Sequence, residues 1–192
     1  MSIWKRSEFH GSAGFSLVEL IVTMSIAAIL LTLAVPSFST LIKDNRQVTQ
    51  ANDLITTLTL VRSEAIKRGT RVTACKSADG ASCAASGGWE QGWIAFVDDN
   101  NDATVNAGEE LLRVHGALSA GATLKGDANL GSYISYVARG NAQLISGAIQ
   151  SGAMVECDDR GFGASAQAIT ISPTGRAKSW SASDAGAGSC TP

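Results

Sequence analysis

Apolar positions run almost unbroken through "GFSLVELIVTMSIAAILLTLAVPSF", residues 14–38. Between Phe15 and Phe38 the block carries one charged residue, Glu19. Its 24 residues are enough to cross ~30 Å of hydrocarbon as a helix, and Pro36, near the far end, is placed to kink or locally loosen it. Beyond it the pattern turns periodic. Leu41, Val48, Ala51, Leu54, Ile55, Leu58, Val61, Ala65 and Ile66 recur at steps of three and four, while Lys43, Asp44, Arg46, Asp53, Arg62, Glu64 and Lys67 mostly fall elsewhere on the wheel. This predicts an amphipathic helix, with Lys67 and Arg68 at the negative end of its dipole and Gly69 as C-cap. One helix then runs from about Phe15 to Arg68, on the order of 80 Å at 1.5 Å per residue.

After Gly69 the period changes to about two. "TRVTACK", "GWIAFVD", "ELLRVHG", "SYISYVA", "GAMVEC" and "AQAITIS" read as strands, separated by turns rich in Gly, Asn and Asp. An antiparallel sheet laid on the amphipathic face of the helix buries both apolar surfaces, which is an α+β head on a helical stalk. The end of the chain, "SWSASDAGAGSCTP", is of low complexity and would be loose were Cys190 unbonded.

Composition narrows the class. A chain of 192 residues, 45% of them apolar, suits one domain with a real core plus an anchor. A formal net charge of −2 excludes a general nucleic-acid coat protein, which should be clearly basic. The four cysteines, Cys75, Cys83, Cys157 and Cys190, all follow the apolar block. An even count on one side of a membrane segment points to disulfides in an oxidising compartment. Four cysteines allow three pairings. Sequence proximity favours Cys75 with Cys83 across "CKSADGASC", leaving Cys157 with Cys190 to pin the tail. A zinc site is the rival reading, but it lacks C-x-x-C spacing and a nearby His.

The first residues, "MSIWKRSEFHGSAG", are short and polar. A secretory signal has its cleavage site after the apolar region, and none follows Pro36. The small residues Ala13 and Gly14 instead precede the block, so a cut there leaves the apolar helix on the mature chain. Lys5 and Arg6 would hold this end in the cytoplasm.

A short basic leader, Gly14 before the cut, Phe15 first in the mature chain and "FSLVEL" with Glu19 fifth together resemble the N-terminal signature of type IV pilins and type II secretion pseudopilins. The kink position at Pro36 fits too. The remainder resembles the GspH/FimT family of minor pilins and pseudopilins, through "LVRSEAIKRG" (60–69), "GWIAFVDDNNDATVNAGEELLR" (92–113) and "SPTGRAKSW" (172–180). The resemblance implies a pilin-like α+β fold with four parts. Residues 1–14 are a cleaved leader, 15–38 a transmembrane and assembly helix, 39–69 the amphipathic helix of the head, and 70–192 a β-rich periplasmic head with a disulfide-pinned tail. It also implies that a prepilin peptidase cuts between Gly14 and Phe15 and methylates the new amine. The subunit then waits in the bacterial inner membrane, crossing it once, with a cytoplasmic N-terminus and a periplasmic head. An ATP-driven assembly platform moves it into a pilus or pseudopilus beside other minor and major subunits.

That reading gives the isolated acid a purpose. A carboxylate near the centre of a membrane helix costs roughly 2.5–3.5 kcal/mol on insertion scales. In a filament, Glu19 can meet the charged amine of a neighbouring Phe15, where a pair in low dielectric attracts strongly. The bland alternative has Glu19 protonated, or bonded to Ser16 or Thr23.

Catalytic chemistry is sparse. His10 would leave with the leader, and His115 alone lacks the positioned partners that acid–base work needs. There is no serine triad, P-loop or dinucleotide fingerprint, so the chain reads as a non-enzyme without cofactors. Two stretches invite other roles. In "DDNNDATVNAGEE" (98–110), Asp98, Asn100, Asp102, Asn106 and Glu109 fall at positions 1, 3, 5, 9 and 12 of a calcium-loop pattern. Position 6, however, is Ala103 rather than Gly, and a polar hairpin with Asx turns explains the same residues. "GRAK" (175–178) is similar to a Gly-Arg-x-Arg segment through which some FimT-like proteins bind DNA during uptake. Arg176 and Lys178 would be the contacts, with Trp180 free to stack on a base. Lys178 lacks the guanidinium fork, and from Cys157 onward Arg160, Arg176 and Lys178 are balanced by Asp158, Asp159 and Asp184, whereas phosphate binding wants a surplus. Three roles follow: a minor pilin of a pilus tip or priming complex, a DNA-binding minor pilin for natural transformation, and an H-type pseudopilin for protein secretion.

Overall fold

The computed structural model describes residues 14–163 and 165–192. The leader residues discussed above, including Lys5, Arg6, His10 and Ala13, lie outside them. The chain divides into two units between Ile42 and Lys43, and a single helix, α1 (Leu17–Arg68), contributes to both.

In the first unit, α1 opens on Ser16, whose hydroxyl accepts the N–H of Glu19 at 3.2 Å, an N-cap that satisfies one of the helix's orphan donors. The span that follows buries none of its apolar surface within the chain. Its hydroxyls turn inward on their own backbone: Thr23 donates to the Leu20 carbonyl, Ser25 to Ile21 and Thr32 to Ile29, at 2.7–2.9 Å. The helix continues through Pro36, which has no N–H to offer the Thr32 carbonyl. The Pro36 carbonyl in turn accepts from both Ser39 and Thr40.

The second unit is a two-sheet head. Strands β1 (Val72–Lys76), β2 (Trp93–Val97), β3 (Leu111–His115) and β5 (Tyr133–Tyr136) form one antiparallel sheet in the order β3-β2-β1-β5. Strands β4 (Thr123–Gly126), β6 (Gly152–Cys157), β7 (Gln167–Ile171) and β8 (Ala177–Ser181) form the other, in the order β4-β6-β7-β8. The alternation in the sequence finds six of these strands but implies one sheet. It misses β4 and β8, in which Lys125 and Lys178 are exposed and few positions are fully buried.

The period-two pattern now has a concrete meaning. Val72, Ala74, Trp93, Ala95, Ile134 and Tyr136 from the first sheet, and Leu124, Met154, Ile169 and Ile171 from the second, share one core with Ala51, Leu54, Leu58, Val61 and Ala65 of α1. Each sheet also has a covered outer face. Cys75, Ile94 and Phe96 pack under Cys83 and Val105. Val155, Cys157, Ala166 and Ala168 pack with Ala182, Ala187 and Cys190 of the tail. A disulfide closes each cover, Cys75–Cys83 on the first sheet and Cys157–Cys190 on the second. The helix ends at Gly69, in a left-handed conformation (φ 71°), with its N–H on the Ala65 carbonyl.

Candidate assembly site

Gly14, Phe15 and Glu19 lie together at the start of α1. A Cβ on Gly14 would meet nothing, so the residue is small without being crowded. Phe15 is 74% exposed. The sequence Ser16-Leu-Val-Glu19 has the spacing of a capping box, in which the Glu side chain returns to the N-cap amide. Here only the Ser16 half is made. Thr23 is committed to the Leu20 carbonyl. Among the described residues the Glu19 carboxylate has neither Ser16, Thr23 nor any cation as partner. The arrangement can therefore present one carboxylate, flanked by apolar surface, to a group outside the chain.

In the head, the polar loop between β2 and β3 is folded around its own acids. Asp98 is fully buried. It accepts from the Thr73 hydroxyl at 2.8 Å and from the N–H groups of Asp102 and Ala103 at 3.0 and 3.1 Å. Asp102 accepts from the side chains of Asn100 and Asn106 and from the Thr104 N–H, which hold its carboxyl below the ordinary value, Asn106 most of all. Glu109 accepts the N–H groups of Asp99 and Asn106. Ala103, at the position where a calcium loop wants Gly, takes φ 58°. Among the described residues no group of three or more His, Cys, Asp or Glu is arranged to hold a metal. In this structure the loop's carboxylates accept N–H and side-chain amide donors from within the loop, as Asx turns do.

The "GRAK" segment forms the turn between β7 and β8 and the start of β8. Gly175 is buried with φ 78°, and a Cβ there would fall 2.5 Å from the Gly140 carbonyl oxygen. Arg176 and Lys178 are exposed. Lys178 Nζ sits 5.1 Å from the centre of the Trp180 ring, and the Trp180 indole donates to Thr170. One side of that ring is thus already occupied by the chain's own cation. His115 lies flat on Trp93, with centroids 3.9 Å apart and planes 3° from parallel, and its Nε2 is 3.5 Å from Asp53 of α1. Its surroundings are those of a packing residue.

Two polar features escaped sequence reading. Glu156 is fully buried beneath α1. With its amide oriented to suit its neighbours, Gln50 donates to Glu156 Oε1 at 2.7 Å and accepts the Ser119 N–H at 2.9 Å, while Oε2 has no partner. Burial, helped by the charges of Asp158 and Asp53, pushes this carboxyl up to about 8. The alternation in "GAMVEC" carries the signal, since it sets Glu156 on the same side as Met154. The second feature is a pocket joining Arg62 of α1 to Tyr136 and Arg176, which only the tertiary fold assembles.

Residues 50–175 match the family described as type II transport protein GspH, and residues 10–35 match the prokaryotic N-terminal methylation motif. No curated protein matches the chain. Among solved structures, the type IV minor pilin FimU of Pseudomonas aeruginosa aligns over 73% of this chain and 92% of its own, at 20% identity and TM-score 0.56. FimU in a second crystal form aligns over 70% and 93%, at 17% and 0.50. The minor pseudopilin EpsH of the Vibrio cholerae type 2 secretion system stands further off, at 11% identity and TM-score 0.48 over 71% and 97%. At such identities FimU speaks for the fold, while the two sequence matches speak for descent. The chain belongs to the GspH family of minor pilins and pseudopilins, with the prepilin N-terminal methylation motif at its head.

Proposed function

We propose that the mature chain begins at Phe15 and is a non-enzymatic minor subunit of a type IV pilus, taken into the tip or priming complex. Prepilin peptidase removes residues 1–14 and methylates the Phe15 amine. The anchor of residues 15–38 crosses the inner membrane once, with its N-terminus in the cytoplasm and the head in the periplasm. The assembly platform then delivers it to a filament of other minor and major subunits. The observation that carries this reading is the Glu19 carboxylate, which has no partner among the described residues and is flanked by apolar surface. The charged amine of a neighbouring Phe15 supplies its complement. Lone charge is disfavoured in hydrocarbon, so the pair favours leaving the lipid and fixes axial register. Glu19→Ala should leave cleavage intact and abolish entry into the filament, as measured by mass spectrometry of the mature N-terminus and by immunoblotting of sheared filaments. Normal incorporation of the variant would overturn the pairing.

The family description favours a second reading, the H-type pseudopilin of a type II secretion system. Deletion of the gene separates the two, because loss of pilus-dependent motility and loss of exoprotein release are different phenotypes. A DNA-receptor role rests on the exposure of Arg176 and Lys178, and the lysine's position over Trp180 weakens it. Retardation of DNA at low salt by wild type, and its loss in R176A/K178A, would support that role.

A further inference from the structure

The head holds a cavity of about 190 Å³ lined by Leu58, Arg62, Tyr136, Gly175 and Arg176, among others, with no acid in its lining. Tyr136 is fully buried, and its hydroxyl makes no hydrogen bond. That is unusual for a buried polar group. The phenol end of its ring lies against Gly175: a Cβ added there would come 3.0 Å from Tyr136 Cε1. Glycine at this position therefore lets the turn approach the Gly140 carbonyl and the Tyr136 ring closely. Burial pushes the phenol up to about 12, against the pull of the Arg62 charge, so the group is a donor at any physiological pH.

Both arginines are available. Arg62 spends one N–H on the Thr174 carbonyl at 3.1 Å. A guanidinium carries five donors, and no carboxylate pairs with Arg62 among the described residues. The Arg176 guanidinium has no hydrogen-bond or ion-pair partner among them either. Two cations and an unsatisfied hydroxyl donor around one small cavity want an acceptor that carries negative charge. A nucleic-acid strand suits this poorly. Its phosphate is tethered on both sides and is recognised along a groove of cations with free aromatic faces, whereas Lys178 already covers Trp180. A cavity of this size fits a group on a single stem.

We propose that this cavity receives one carboxylate, presented by an acidic side chain of a neighbouring protein subunit. The identity of that neighbour as a filament subunit rests on the function proposed above. The chemistry of the pocket does not.

The test uses the full chain in detergent micelles with 13C at the ζ carbon of tyrosine. The sequence has two tyrosines. Tyr133, whose hydroxyl already accepts the Ile145 N–H, serves as internal control. Titration with N-acetylglutamate amide should displace the Tyr136 signal saturably and leave Tyr133 in place, and N-acetylglutamine amide should do neither. R176Q, checked for native circular dichroism, should weaken the response roughly tenfold, the loss expected for one charge-assisted bond. A Tyr136 signal indifferent to the glutamate probe, or equally responsive to the glutamine probe, overturns the proposal. So does a response confined to a short oligothymidylate, which would assign the pocket to phosphate. Failure here with Glu19→Ala still blocking incorporation would sink the pocket and leave the filament reading standing. The reverse pattern would do the opposite.

Discussion

Asp98 accepts the hydroxyl of Thr73 at 2.8 Å from within the protein, with both residues fully buried. The same carboxylate also takes the N–H groups of Asp102 and Ala103, so one side chain ties β1 to the loop that leaves β2. Asp98→Ala would strand two buried donors, the Thr73 hydroxyl and the Ala103 N–H, since Asn100 also accepts the Asp102 N–H. At about 1–3 kcal/mol for each unsatisfied buried group, a loss of roughly 2–5 kcal/mol is expected in urea unfolding. Addition of calcium should not restore it. Recovery of the variant by calcium would return the loop to the metal-binding reading.

The two disulfides should differ in weight. They close loops of sequence separation 8 and 33, for which chain entropy gives roughly 2.5 and roughly 3.7 kcal/mol. C157S/C190S should therefore be the less stable double variant, and limited proteolysis should begin in its tail near Ala187, which now lies over the outer face of the second sheet. Equal stability of the two double variants would mean that the unfolded chain is not the main seat of the effect.

Glu156 predicts a pH dependence with a definite sign. Its carboxyl holds its proton in the folded head up to about 8, whereas an unfolded Glu releases it near ~4.3. Between those values the folded state binds more protons, so stability falls as pH rises. The contribution is complete below the unfolded value and is lost towards pH 8. Glu156→Gln should flatten this part of the profile and exceed the wild type in Tm at pH 8, with little difference near pH 4. Thermal scans across that range check it.

Gly175 and Gly147 make a matched pair. Both have positive φ, 78° and 89°, but an added Cβ meets the Gly140 carbonyl at the first and open space at the second. Gly147→Ala should show only the backbone term, about 1–3 kcal/mol. Gly175→Ala should cost clearly more, since the turn must also move.

Much of this was readable in the residues themselves. The stretch from Leu17 to Arg68 announces a helix because its first part is mostly apolar and its second repeats apolar residues at steps of three and four. Of that stripe Leu54, Leu58, Val61 and Ala65 are buried, whereas Leu41, Val48 and Ile66 are exposed. Strands such as "WIAFV" stand out because they are apolar on both faces, which in this head means core on one side and a covered face on the other. Sheet membership did not show, because "GAMVEC" and "TRVTACK" have the same local pattern and only long-range pairing separates them. β8 stayed hidden because an edge strand carrying Lys178 and Trp180 half in solvent has little periodicity to read. The charge tally from Cys157 onward came to zero and hid the cationic pocket, since Arg62 enters it from a helix far away in the chain. Glu156 was visible in principle. Its alternation pointed inward, and a charged residue at an inward position warranted a question about its proton.

The hydroxyls of Thr23, Ser25 and Thr32, each closed on a carbonyl one turn back, make the greasy half of α1 indifferent to its medium. Such a rod carries its hydrogen bonds with it, so transfer from fluid acyl chains to a dry bundle of like rods breaks and remakes none of those three. The single group whose free energy changes sharply between the two environments is the acid in the first turn. Under the pairing proposed above, selectivity for a destination is concentrated at one atom pair rather than spread along the rod.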